Sequence, residues 1–118
     1  MLREIKTRTY HYFIDENNHA QGEYTEYHIN GRLYLNTFYV NNNLHGEYKS
    51  YHDNGQLWEH TFYHYGKRHG EYKRYYDNGA LAPSTFYCQG INLKVDPDTL
   101  SEKDKMYIMM SGRLPPRD

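Results

Sequence analysis

The residues with most chemical potential in this chain are its eight histidines. His28 and His52 are 24 residues apart, and so are His45 and His69. A ladder of imidazoles at fixed spacing could bind zinc. The next rungs break both rows, because Tyr76 and Leu93 stand there, and no thiolate or carboxylate completes a tetrahedral set at obvious spacing. We therefore expect no metal site and no cofactor. Cys88, the sole cysteine, has no evident His/Asp partner arrangement, and Ser84 and Thr85 lie in a motif position where Thr37 and Thr61 also stand. A residue recurring at a fixed period is structural before it is catalytic, no phosphate-cradling loop is present, and no catalytic residue is assigned. The remaining candidate chemistry is electrostatic. Lys49, Lys67, Arg68, Lys73 and Arg74 gather in the middle and later parts of the chain. Each such charge near an anionic bilayer contributes about 1 kcal/mol. Glu47, Glu59, Glu71 and Asp77 alternate with them, so cross-strand ion pairs on a solvated face account for the pattern equally well.

The spacing of 24 comes from an internal repeat. Gly22 opens "GEYTEYHINGRLYLNTFYVNNNLH", Gly46 opens "GEYKSYHDNGQLWEHTFYHYGKRH" and Gly70 opens "GEYKRYYDNGALAPSTFYCQGINL". Ten of 24 positions are identical in all three without a gap, and a period in this range signals a repeat architecture. The recurring residues are Gly22, Tyr24, Tyr27 and Gly31; Gly46, Tyr48, Tyr51, Gly55, Leu57, Phe62 and Tyr63; and Gly70, Tyr72, Tyr75, Gly79, Leu81, Phe86 and Tyr87. They are read as structural positions. Residues 1–21 form a degenerate half repeat or strand, 22–93 the three repeats, and 94–118 a helix and tail.

Each copy has two Tyr-rich extended stretches joined by Asn-Gly, the strongest short hairpin signal. The expected architecture is mainly β: one elongated antiparallel sheet of successive hairpins, with one C-terminal helix as its cap. If Asp53-Asn54-Gly55 is a three-residue loop with a left-handed glycine, Tyr51 opposes Leu57 and Gly46 opposes Phe62. One face would then carry Tyr51, Leu57, Thr61 and Tyr63, and the other Gly46, Tyr48, Trp58 and Phe62. A two-residue turn would shift every pairing by one. In the tail, Asp98 or Ser101 can cap a helix start and Gly112 can end it. Met106, Met109 and Met110, with Leu100 and Tyr107 nearby, make one apolar face. That face is expected to bury against the last hairpin, around Leu81–Tyr87 and Leu93; a second chain is the alternative, which would make the protein a homodimer.

Composition narrows the function classes. The chain has 118 residues, enough for one domain. Its mean hydropathy is −1.09, yet 15 tyrosines supply ring area while keeping a hydroxyl for water. That balance suits a thin, half-wet sheet. A net charge of −1 lacks the footprint of a nucleic-acid binder, and no such partner is expected. One cysteine excludes an intrachain disulfide and favours a reducing, cytoplasmic setting. No signal-like or membrane-spanning apolar run is found, so any membrane contact is expected to be peripheral.

The repeats resemble the MORN repeat, in the variant form often found in bacterial proteins and large DNA viruses; for a viral protein the setting would be the host-cell interior. The "GKRHG" turn at Gly66–Gly70 matches the family well, and Gly46, Tyr51, Gly55, Phe62 and Tyr63 stand where the family places its glycines and aromatics. The resemblance covers residues 22–93, with "NNNLHG" and "QGINL" departing from that turn in the outer copies, and extends weakly to 9–21. It implies a non-enzymatic scaffold for protein–protein interaction or self-association, with an unspecified protein partner. Peripheral binding of acidic phospholipids through the basic cluster, or an antitoxin-like role, are the alternatives it implies.

Overall fold

A computed structural model describes residues 1–116. Strands β1 (Arg3–Lys6) and β2 (Tyr10–Ile14) form an N-terminal hairpin. The repeats follow as β3 (Gly22–Tyr27) with β4 (Leu33–Val40), β6 (Gly46–Tyr51) with β7 (Leu57–His64), and β9 (Gly70–Arg74) with β10 (Thr85–Cys88). Two-residue strands β5 (Asn43–Leu44), β8 (Lys67–Arg68) and β11 (Ile91–Asn92) fold back on β4, β7 and β10. Strand order across the sheet is the order in sequence, and every pairing is antiparallel. The principal extents of 54 × 37 × 18 Å describe an elongated, thin body. The tail contributes a short 3₁₀ turn, Pro97–Thr99, and helix α1 (Glu102–Ser111). The last two residues of the segment read as helix and tail, 117 and 118, lie outside the described residues.

The Asn-Gly turns are three-residue loops. His52 N–H donates to the Gln56 carbonyl (2.9 Å), Gly55 N–H donates back to His52, and Gly55 takes φ +89°. The same bonds recur at His28/Arg32 and Tyr76/Ala80. Tyr51 opposes Leu57 as expected from this loop, but the register then slips by one residue between Ser50 and Tyr51. Trp58 is the extra residue of a β-bulge, and Gly46 consequently faces Tyr63 rather than Phe62. A like slip makes Tyr34 the extra residue of the first copy.

The bulge reassigns the two faces from those expected. Paired residues, and residues two apart on a strand, share a face. Tyr48 pairs with Thr61 and Glu47 with Phe62, so Tyr48 joins Thr61 and Tyr63, while Phe62 joins Glu47, Lys49 and His60. One face, the Tyr face, carries Tyr24, Tyr39, Tyr48, Tyr63, Tyr72 and Tyr87. The other, the Phe face, carries the pairs Glu23–Phe38, Glu47–Phe62 and Glu71–Phe86. The ring-over-glycine contact does form, one repeat further on: a Cβ on Gly70 would lie 3.5 Å from the Phe62 ring, and one on Gly46 3.8 Å from Phe38.

The repeats are stitched by recurrent polar contacts rather than by a dry core. Thr37 and Thr61 are buried, and their hydroxyls donate to the Glu47 (3.1 Å) and Glu71 (2.9 Å) carbonyls of the following copy. Asn30 and Asn54 donate from their amides to the Asp53 and Asp77 carbonyls. His28 and His52 bond the Tyr51 (2.7 Å) and Tyr75 (2.8 Å) carbonyls. The N-terminal hairpin shares this grammar. Gln21 N–H donates to Phe13 O, as His45 does to Phe38, His69 to Phe62 and Leu93 to Phe86. A sheet that satisfies its backbone copy by copy in this way needs little apolar burial, which fits the low hydropathy of the chain.

Candidate interaction site

Rings on the Tyr face mostly touch one another. Tyr48 lies 5.4 Å from Tyr63, Tyr24 lies 5.6 Å from Tyr39, and Tyr72 lies 6.0 Å from Tyr87. The Tyr24 hydroxyl donates to Glu26 (2.8 Å) and that of Tyr72 to Glu59. Burial pushes the Tyr48 phenol up to about 12; burial and then the Glu59 bond do the same for Tyr72. These hydroxyls stay protonated at neutral pH, and the rings of this face meet across neighbouring strands.

The Phe face is different, because its equivalent rings have unequal surroundings. Phe38 and Phe62 are 37% and 38% exposed, whereas Phe86 is 2% exposed. The cover over Phe86 is the tail. Phe86, Cys88, Leu100 and Ile108 form the buried apolar cluster, with Leu93 and Val95 packed against it. Ser101 caps the helix in a reciprocal capping box with Asp104, and Gly112 closes it in the left-handed conformation. The helix thus starts at the Ser101 cap and not at Asp98, which belongs to the preceding 3₁₀ turn.

The methionine face does not bury against the hairpin as expected. Met106, Met109 and Met110 are 65%, 43% and 83% exposed, Tyr107 is 37% exposed, and Ile108 is fully buried. Of the expected apolar set only Leu100 enters the cluster. Two fixed points set the helix rotation: the cap at Ser101, and Lys105, whose ammonium lies 2.6 Å from Glu71. With Lys105 over Glu71, the residue three positions on, Ile108, points at Phe86 and Cys88. Ile108 is the β-branched aliphatic residue among the methionines of the helix, and that contrast was the signal for it in the sequence.

Beside the helix the Phe face opens into a groove of about 420 Å³. Phe62, Gly46 and Gly70 lie along it, His45 and His69 flank it, and Met109 of the helix borders it. The His64 ring lies between the two, tilted to both, 5.1 Å from His45 and 5.7 Å from His69. Burial, then the neighbouring His64, pull the His69 pKa below its ordinary value. Its Nδ1 accepts from the Gln89 N–H at 3.0 Å. A histidine whose folded pKa is depressed contributes stability that is full above its unfolded value, about 6.5, and is lost as pH falls from there through the lower folded value. Between pH 7.5 and 5 the wild type should lose melting temperature, and His69→Gln should flatten that loss. Parallel acid slopes in calorimetry would contradict it.

The five basic residues are divided between the two faces of the sheet. Lys49 sits 3.5 Å from Glu47, and Lys73 bridges Glu71 (3.9 Å) and Asp98 (3.3 Å), all on or over the Phe face. Arg68 lies on the Tyr side, 4.8 Å over the Tyr72 ring and 5.4 Å over Tyr87. Arg74 pairs across strands with Glu59, and Lys67 lies in the short strand β8. Among the described residues no His, Cys, Asp or Glu groups converge as a metal site requires, and no helix is long and apolar enough to cross a membrane.

A single antiparallel sheet of hairpins, each registered on the next by the same turn and threonine contacts, defines a β-hairpin repeat protein. The family model of the MORN repeat variant matches residues 44–65 and 68–87, and these segments are MORN repeats of that variant type. MORN repeats are a non-enzymatic repeat type and generally serve protein or membrane interaction. None of the curated proteins compared with the chain matches it.

Proposed function

We propose that this chain is a non-enzymatic scaffold that binds a protein partner on its Phe face. The observation that carries this reading is the inequality along one row of equivalent rings: Phe86 is covered by the chain's own helix, while Phe62, which lines an apolar groove, and Phe38 both stand more than a third exposed. An uncovered ring row continuing from a covered one is the kind of exposed apolar surface that marks an interaction site. Of the five basic residues, Lys49 and Lys73 are paired with acidic groups on the Phe face, and Arg68 lies on the Tyr side, so they present no single basic patch to an anionic bilayer.

The test is affinity capture from the source cell with the wild type and with a Phe38→Ser/Phe62→Ser double variant. Both chains should unfold cooperatively, and a specific protein should be captured by the wild type and lost with the double variant. Equal capture by both would remove the Phe face from the reading. Salt-sensitive pelleting of the wild type with phosphatidylserine vesicles would favour lipid instead. A dimer in light scattering, abolished by the same double variant, would make a second copy the partner.

A further inference from the structure

The occupied end of the Phe face is a template for its unoccupied part. Contacts of the tail step along the β9–β10 hairpin: Asp98 meets Lys73 and Lys105 meets Glu71 on β9, then Ile108 and Gly112 reach Cys88 on β10. The helix therefore runs alongside these strands, with a lysine on the glutamate and an aliphatic residue on the phenylalanine. One repeat back, Glu47 opposes Phe62 in the same register in which Glu71 opposes Phe86, and Glu23 opposes Phe38 likewise. Two strands advance the sheet by about 10 Å, and packed helices lie about 8–10 Å apart. A second helix seated over Phe62 would thus pack against α1, on the side where Met109 already borders the groove.

Resting on the reading of the array as an interaction scaffold, we infer that the groove over Phe62 receives an amphipathic helix of a partner chain, carrying a basic residue three positions before an aliphatic one. The carboxylate such a helix needs is in place. The hydrogen bond from His60 (2.8 Å) holds Glu47 below the usual carboxylate range, with Lys49 adding to it, so it is ionised at neutral pH. A carboxylate accepts about four hydrogen bonds, so an incoming lysine can be accommodated. The helix of a second copy is a poorer occupant, because its Lys105 and Ile108 are already engaged on its own Glu71 and Phe86.

The probe is a helix-stapled peptide of residues 96–113, staple on its solvent side, titrated into the full-length protein by fluorescence anisotropy. It should bind, Glu47→Lys should weaken binding at least tenfold, and a peptide bearing Lys105→Glu should restore most of that loss. Phe62→Ser should weaken binding to a similar degree. Binding that ignores Glu47→Lys but is lost with Glu71→Lys would mean that the peptide only displaces α1, and would overturn the inference. So would absence of binding at millimolar peptide, or a full-length dimer in which Phe62 is protected. If the peptide fails while Phe62-dependent capture of a cellular protein persists, the helix is wrong and the scaffold reading stands; if both fail, the scaffold reading falls too.

Discussion

Phe86→Ala is expected to destabilise the protein by about 3–5 kcal/mol, the range for deleting a fully buried aromatic ring. Phe62→Ala, at the equivalent position one copy earlier, should cost on the order of 1 kcal/mol, because its ring keeps much of its contact with water. The residues share a repeat position, a strand pairing with glutamate and a face. They differ in that Ile108, Leu100 and Cys88 close over one of them. Calorimetric unfolding of the two variants beside the wild type measures the difference. Equal losses would mean that the tail does not hold Phe86 in the way its burial implies.

The second large effect lies in the tail. Ile108→Ala should cost about 2–5 kcal/mol, since a fully buried aliphatic side chain is removed from a small cluster that has little capacity to collapse. Met110→Ala, at 83% exposure, should fall within about 0.5 kcal/mol of the wild type. Denaturant unfolding with a common slope separates them. Were the methionine substitution the damaging one, the helix rotation described here would be wrong, and Lys105 could not sit on Glu71.

These residues also mark where the sequence was legible and where it was not. The Asn-Gly pairs announced their loops, because positive φ at Gly55 is a local requirement that few residues meet. The stop at Gly112 was readable for the same reason, and the cap at Ser101 because a serine hydroxyl accepts a helix N–H that has no partner within the first turn. The bulge was not. Trp58 carries no backbone signature of an extra residue, and one unpaired position was enough to put Tyr48 and Phe62, expected on one face, on opposite faces. Helix rotation was likewise a tertiary matter. Three methionines at helical spacing outvote one isoleucine on paper, but a salt bridge to Glu71 and the shape over Phe86 choose the isoleucine. Phe62 and Phe86 read alike as structural positions, and nothing within the repeat itself says that only the second is covered.

The order of the strands has a mechanical consequence. Because each strand lies next to its neighbour in sequence, β1 sits at one edge of the sheet and β11 at the other. A force applied between the two ends of the chain does not shear several strands at once. Once α1 is drawn off Phe86, the force peels the outermost strand, bond by bond, and exposes the next. Each 24-residue copy would then release about 80 Å of slack at a low and nearly constant load. Threonine, asparagine and histidine contacts to the adjacent copy would set the height of each step. The molecule is built like a strip of hook-and-loop tape: firm against sideways sliding, yielding when lifted from an end.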